Sequence, residues 1–91
     1  MTPDPNSRPH LAAGCRLGEN QGNRVLLMPE RALRLNGPIL EIVSRCDGTR
    51  IVAQIVHELQ KLYAKAEPAR VEQDVLGYLG LLSDQRALDF Q

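Results

Sequence analysis

The chain has no tryptophan, one phenylalanine and two tyrosines. A core without large rings must be aliphatic, and fourteen leucines supply it. Net charge is missing too, because eleven basic and eleven acidic residues cancel. That removes the electrostatic footprint of a nucleic-acid binder or a polybasic membrane binder. No apolar run approaches the ~20 residues that span a bilayer. The opening MTPDPNSRPH lacks the apolar stretch of a secretory signal peptide, so a cytoplasmic location is expected. What is present fits one small domain: 91 residues, 43% hydrophobic and 24% charged, a globular composition. A chain this short has little room for a deep, water-excluding pocket.

Reactive groups are equally sparse. Cys15 and Cys46 stand apart with no C-x-x-C between them, and read as small apolar residues rather than a redox pair. His57-Glu58 begins like H-E-x-x-H, but Lys61 takes the place of the second histidine. His10 has no ligand partner at metal-site spacing. There is no G-x-S-x-G, no phosphate loop of the G-x-x-x-x-G-K-[ST] type and no G-x-G-x-x-G. No catalytic, metal or cofactor site is expected, and a binding protein is favoured over an enzyme.

Residues 1–13 hold three of the six prolines (Pro3, Pro5, Pro9) and read as a flexible arm before a domain at 14–91. From Cys15 to Glu19 the pattern alternates with period two, as in a strand. Asn20-Gln21-Gly22-Asn23 has turn chemistry, and Val25-Leu26-Leu27-Met28 closes a hairpin before Pro29. Ala32 to Asn36 alternates again, with Leu33 and Leu35 on one face and Arg34 and Asn36 on the other.

The period then changes. Asn36 or Gly37 can cap a helix whose first turn holds Pro38. Ile39, Leu40, Val43 and Cys46 share one face, and Asp47-Gly48 stops the helix. Thr49 is the expected N-cap of a second helix with its stripe at Ile51, Val52, Ile55, Leu59, Leu62 and Tyr63. A third starts near Ala69 with its stripe at Val71, Val75, Tyr78, Leu79 and Leu82. Leu88 and Phe90 could add a short extended piece or cover the end of the core. The reading is α+β: a three-stranded antiparallel meander followed by a three-helix bundle, winged-helix-like, with the third strand on an edge.

Several segments resemble one family. Val25-Leu26-Leu27-Met28-Pro29-Glu30, then Leu35-Asn36, Ile39-Leu40, Cys46-Asp47-Gly48, and Asp74-Val75 with Leu79 and Leu82 are similar in order and spacing to the pyrroloquinoline quinone biosynthesis protein D (PqqD) family, over roughly residues 14–85. The resemblance implies a non-catalytic peptide chaperone, a peptide-recognition domain of the kind found in ribosomally made, modified natural products. It implies two partners: a PqqA-like precursor peptide, and a PqqE-like radical S-adenosylmethionine enzyme that joins a glutamate to a tyrosine of that peptide. Iron–sulfur clusters would belong to that enzyme.

An edge strand offers a physical mode of binding, because an extended peptide can add to it as a further strand. The expected peptide-binding residues are Ala32, Leu33, Arg34, Leu35 and Asn36 on the strand, with Asp74, Val75, Tyr78, Leu79 and Leu81 on the third helix. Asp74 and Leu81 flank one side of that helix's stripe, Glu72 and Leu76 the other, and the pattern leaves open which flank lines a groove. Gly77 and Gly80 fall opposite the stripe, where another chain could approach closely. The same edge permits a homodimer. Two other classes remain as alternatives. A winged-helix DNA reader is disfavoured by Glu72 and Asp74 beside Arg70 at the head of the third helix. A carrier of the finished quinone is disfavoured by the lack of an evident arginine cluster.

Overall fold

Two tight turns organise the first half of the chain. In the computed structural model, which describes residues 3–91, Gln21 and Gly22 both take positive φ (53° and 83°). That is the two-residue turn whose twist matches a hairpin. It joins β2 (Arg16–Asn20) to β3 (Asn23–Leu27) with Asn20 opposite Asn23 and Arg16 opposite Leu27. Pro29-Glu30 makes the second turn. Met28 N–H donates to Arg31 O (2.8 Å) and Arg31 N–H to Met28 O (3.4 Å). The chain returns as β4 (Ala32–Arg34), with Leu26 opposite Leu33. The sheet order is β2-β3-β4, the expected meander.

Pairing register sorts the side chains. Leu17, Leu26 and Leu33 share one register row and all belong to or pack on the core. Gly18, Val25 and Arg34 share the next row, on the opposite face. A Cβ on Gly18 would come within 2.7 Å of Leu27 Cδ1. The missing side chain therefore leaves the space that Leu27 fills.

Helix α1 (Gly37–Ser44) starts with Asn36 at the cap position and Pro38 in the first turn. Gly48, at φ 82°, turns the chain after it. Thr49 does not cap α2 (Val52–Leu62). Its N–H and hydroxyl both donate to Asp47 Oδ1 (3.0 and 2.6 Å), and Ile51 stands at the cap position. The first amides of α2 find acceptors elsewhere: Val52 N–H donates to Ser7 O (2.9 Å) and Ala53 N–H to Pro5 O (3.0 Å). Two donors that a helix start leaves without intrahelical partners are thus satisfied by the N-terminal segment.

That segment corrects an expectation. Pro9–Leu11 forms β1 and pairs antiparallel with β5 (Leu88–Phe90), Leu11 opposite Leu88. Pro9 is fully buried and Pro3 is buried. Residues 3–11 are therefore packed down rather than a loose arm; Met1 and Thr2, also assigned to the arm, lie outside the described residues. The reason is main-chain bonding that composition does not reveal. Besides the α2 amides, Gly48 N–H donates to Pro9 O (3.0 Å) and Ala12 N–H to Ala87 O (2.9 Å).

Helix α3 (Pro68–Asp84) completes the core with Val71, Val75, Leu79 and Leu82. These meet Ile55, Val56 and Leu59 of α2 and Leu26 of the sheet in one aliphatic cluster. A charged chain binds α1 to α2 at the surface. Arg45 bonds Glu41 (2.8 Å) and Glu58 (2.9 Å), and Arg50 bonds Glu58 (2.9 Å) and Asp47 (3.4 Å).

Candidate functional site: the β4 edge and the open flank of α3

β4 is an outer strand: β3 lies on one side and, among the described residues, no strand lies on the other. Hydrogen bonding decides which of its groups face outward. Met28 and Arg31 form a bonded pair, and Leu35 N–H donates to Arg24 O (2.8 Å). Bonded pairs alternate in an antiparallel ladder, so Leu33 is bonded to Leu26 between them. The main-chain N–H and C=O of Leu33 and Leu35 thus turn toward β3, while those of Ala32 and Arg34 turn to the free edge. Both Ala32 and Arg34 are exposed.

The ten expected residues divide accordingly. Leu35 (3% exposed), Val75 (2%) and Leu79 (0%) are core residues, so their side chains cannot touch a guest in this conformation. They sit where period-two and helical stripes place apolar groups, and the core claims them. Leu33 is half-buried against the same cluster. Asn36 is exposed at the start of α1. Ala32 and Arg34 have outward main-chain groups.

On α3 the two flanks differ. Pro3, Gly80, Ser83 and Phe90 line one small hollow, and Pro3, Val56, Glu72 and Leu76 line another. The N-terminal segment therefore covers the flank that holds Leu76 and Gly80. The chain that approaches the buried Gly80 is the protein's own. Gly77 is exposed, with nothing near where a Cβ would stand. The flank of Asp74, Tyr78 and Leu81 stays open. Asp74 is exposed and pairs loosely with Arg70 (3.6 Å), Leu81 is 49% exposed, and Tyr78 is half-buried. Burial of that ring pushes the Tyr78 hydroxyl above its ordinary pKa, so it stays a neutral donor.

The turn that leads into β4 and the residues that follow α3 line one hollow of about 580 Å³. Cys15 and Met28 give it an apolar part, and Glu30, Arg31, Gln85 and Arg86 a polar one. The sequence pattern does not single out Arg86. Its only signal is position: it follows the helix end in the left-handed region (φ 62°), where glycine is usual.

Charge is uneven across the site. Residues 15–36 carry four arginines against two glutamates, while residues 67–84 carry four acids against one arginine. Several titrating groups away from the hollow serve structure. The hydrogen bond from Arg45 holds the Glu58 carboxyl below its ordinary range, with Arg50 adding to it. The Thr49 hydroxyl does the same for Asp47. Burial pushes the Cys46 thiol up to about 12. Both cysteines are free. Among the described residues no cluster of His, Cys, Asp and Glu could hold a metal ion, and no helix is long and apolar enough to cross a membrane.

The chain is similar to known proteins over most of its length. Residues 23–88 match the sequence model of the family described as coenzyme PQQ synthesis protein D (PqqD). A "PqqA binding protein" of Xanthomonas axonopodis pv. citri is 40% identical over 85 residues, 91% of each chain. The bifunctional coenzyme PQQ synthesis protein C/D of Methylorubrum extorquens is 36% identical over 83 residues, which cover 89% of this chain and 22% of that protein. A solution NMR structure of the PqqD truncation of Methylobacterium extorquens PqqCD superposes with a TM-score of 0.70 at 35% identity, over 89% of this chain and 87% of that one. It is described as a functional, stand-alone recognition element for ribosomally synthesised and post-translationally modified peptides. With the meander, the three helices and most of the chain matched, the protein belongs to the PqqD family.

Proposed function

We propose that this chain is a non-catalytic peptide chaperone of pyrroloquinoline quinone biosynthesis. It binds a PqqA-like precursor peptide as an added strand on β4 and presents it to a radical S-adenosylmethionine enzyme that cross-links a glutamate and a tyrosine. The observation that carries the reading is the outward main chain of Ala32 and Arg34 on an edge that no other strand of the described residues covers. An extended peptide satisfies those groups without disturbing the core. Side chains on the open flank of α3, Asp74, Tyr78 and Leu81, then choose among peptides. The names of the relatives and the recognition-element structure support the peptide as guest. The sparse reactive groups of this small chain support a binding role, with the chemistry and its cofactors left to the enzyme partner. This role belongs in the cytoplasm, where the precursor is made. A second copy pairing at the same edge would compete with the peptide.

The test is amide hydrogen exchange with and without a synthetic PqqA peptide, read residue by residue by NMR. The amides of Ala32 and Arg34 should gain protection. Those of Leu33 and Leu35, already bonded to β3, should change little. A bound peptide that leaves Ala32 and Arg34 unprotected overturns the added-strand reading.

A further inference from the structure

We infer that the hollow at the head of β4 is a carboxylate subsite for the guest peptide, built by Arg31 and Arg86. The inference rests on the added-strand reading above. Arg31 directly precedes Ala32, the first residue of β4. Whichever way a guest strand runs along this edge, the residue beyond the one opposite Ala32 comes level with Arg31, because paired strands advance in step at ~3.3 Å per residue. Across the hollow stands Arg86.

Among the described residues neither guanidinium is paired with a carboxylate. The described ion pairs use Arg45, Arg50 and Arg70, and neither Arg31 nor Arg86 is in any of them. Glu30 also lines the hollow and offsets one of the two charges. What is left calls for one negative group, and the planar fork of an arginine suits a carboxylate. Cys15 and Met28 supply the apolar side against which the methylenes of a glutamate or aspartate can lie. The occupant is therefore an acidic side chain of the peptide.

The position of Arg86 makes a clean experiment possible. Its φ of 62° suits glycine better than arginine, so Arg86→Gly removes the charge while easing the backbone. Calorimetric titration would use the synthetic PqqA peptide and copies of it with each acid replaced singly by its amide. Arg86→Gly and Arg31→Gln should each bind the parent peptide about tenfold more weakly, the scale of one charge-assisted hydrogen bond. One amide copy should lose about tenfold against the wild-type protein and nothing further against Arg86→Gly. Thermal unfolding should show Arg86→Gly at least as stable as wild type, which separates lost binding from lost fold. Binding by both variants within twofold of wild type, with Ala32 and Arg34 still protected by peptide, overturns the carboxylate subsite and leaves the added strand standing. Absence of protection at Ala32 and Arg34 in every titration overturns the added strand, and this placement of the carboxylate with it.

Discussion

Gly18 and Leu27 occupy one place on the outer face of the sheet. Leu27 Cδ1 stands 2.7 Å from where a Cβ of Gly18 would be, and Val25 Cγ2 lies 3.9 Å from the same point. Val25 is only 5% exposed although its register row belongs to the face turned away from the helices. Leu27, folded across the glycine, helps to roof it. Gly18→Val should drive Leu27 off and uncover Val25, costing about 1–3 kcal/mol as overpacking usually does. Urea unfolding followed by circular dichroism checks it; an unchanged midpoint would show that Leu27 has room to move.

The N-terminal segment caps a helix with its main chain. A chain starting at Pro9 would lose the carbonyls of Pro5 and Ser7 that accept from Ala53 and Val52. Lost caps usually cost ~0.5–2 kcal/mol, and each kcal/mol lowers the midpoint of a domain this size by roughly 4–8 °C. Thermal unfolding should register the drop, and amide exchange at Val52 and Ala53 should quicken more than elsewhere in α2.

Glu58 bridges Arg45 and Arg50. Its carboxyl titrates below the ordinary 4.5 because both arginines favour the charged form, Arg45 foremost. A group with a depressed folded pKa adds stability above its unfolded pKa and loses it as pH falls through the folded one. Glu58→Gln should therefore be less stable than wild type at pH 7. The gap should close below pH ~4, near the unfolded carboxyl value. Because the side chain is 37% exposed, the gap at neutral pH should stay within ~1 kcal/mol. Denaturant midpoints of both proteins across pH 3–7 measure it, and a gap that widens toward acid would contradict the assignment.

The two cysteines should separate by reactivity. Burial raises the Cys46 thiol to about 12 and its Sγ donates to Ile42 O at 3.2 Å, so little thiolate forms and little reagent arrives. Cys15 is half-buried at the hollow. Iodoacetamide at pH 8 should label Cys15 in the folded protein and both residues in guanidinium, as peptide mass spectrometry would show. Equal labelling of the folded protein would contradict the burial of Cys46.

Much of this architecture is legible in the residues, because the determinants are local. Asn20 to Asn23 and Pro29-Glu30 announce the two turns, and Leu33 in β4 and Leu35 just after it mark the inner side of the chain there. The helical stripes of α1, α2 and α3 name most of the core. What escapes the sequence is set by contacts between distant segments. β1 and β5 are three residues each, too short for a periodic signal, and they pair across nearly the whole chain. Thr49 has the chemistry of an N-cap, yet Pro5 and Ser7 reach the α2 amides first. Periodicity places Val75 and Leu79 on a stripe without saying what covers it. The choice of open flank on α3 likewise rests on Pro3 and Phe90, which come from opposite ends of the sequence to line one hollow with Gly80.

The pairing of β1 with β5 has a practical consequence. Arg8 N–H donates to Gln91 O (2.8 Å) and Gln91 N–H donates back to Arg8 O (2.9 Å), so the two backbones run side by side as far as Gln91. An extension added after Gln91 therefore starts beside the segment whose Pro5 and Ser7 carbonyls cap α2. A bulky fusion placed there needs a few flexible residues between, so that those caps stay in place.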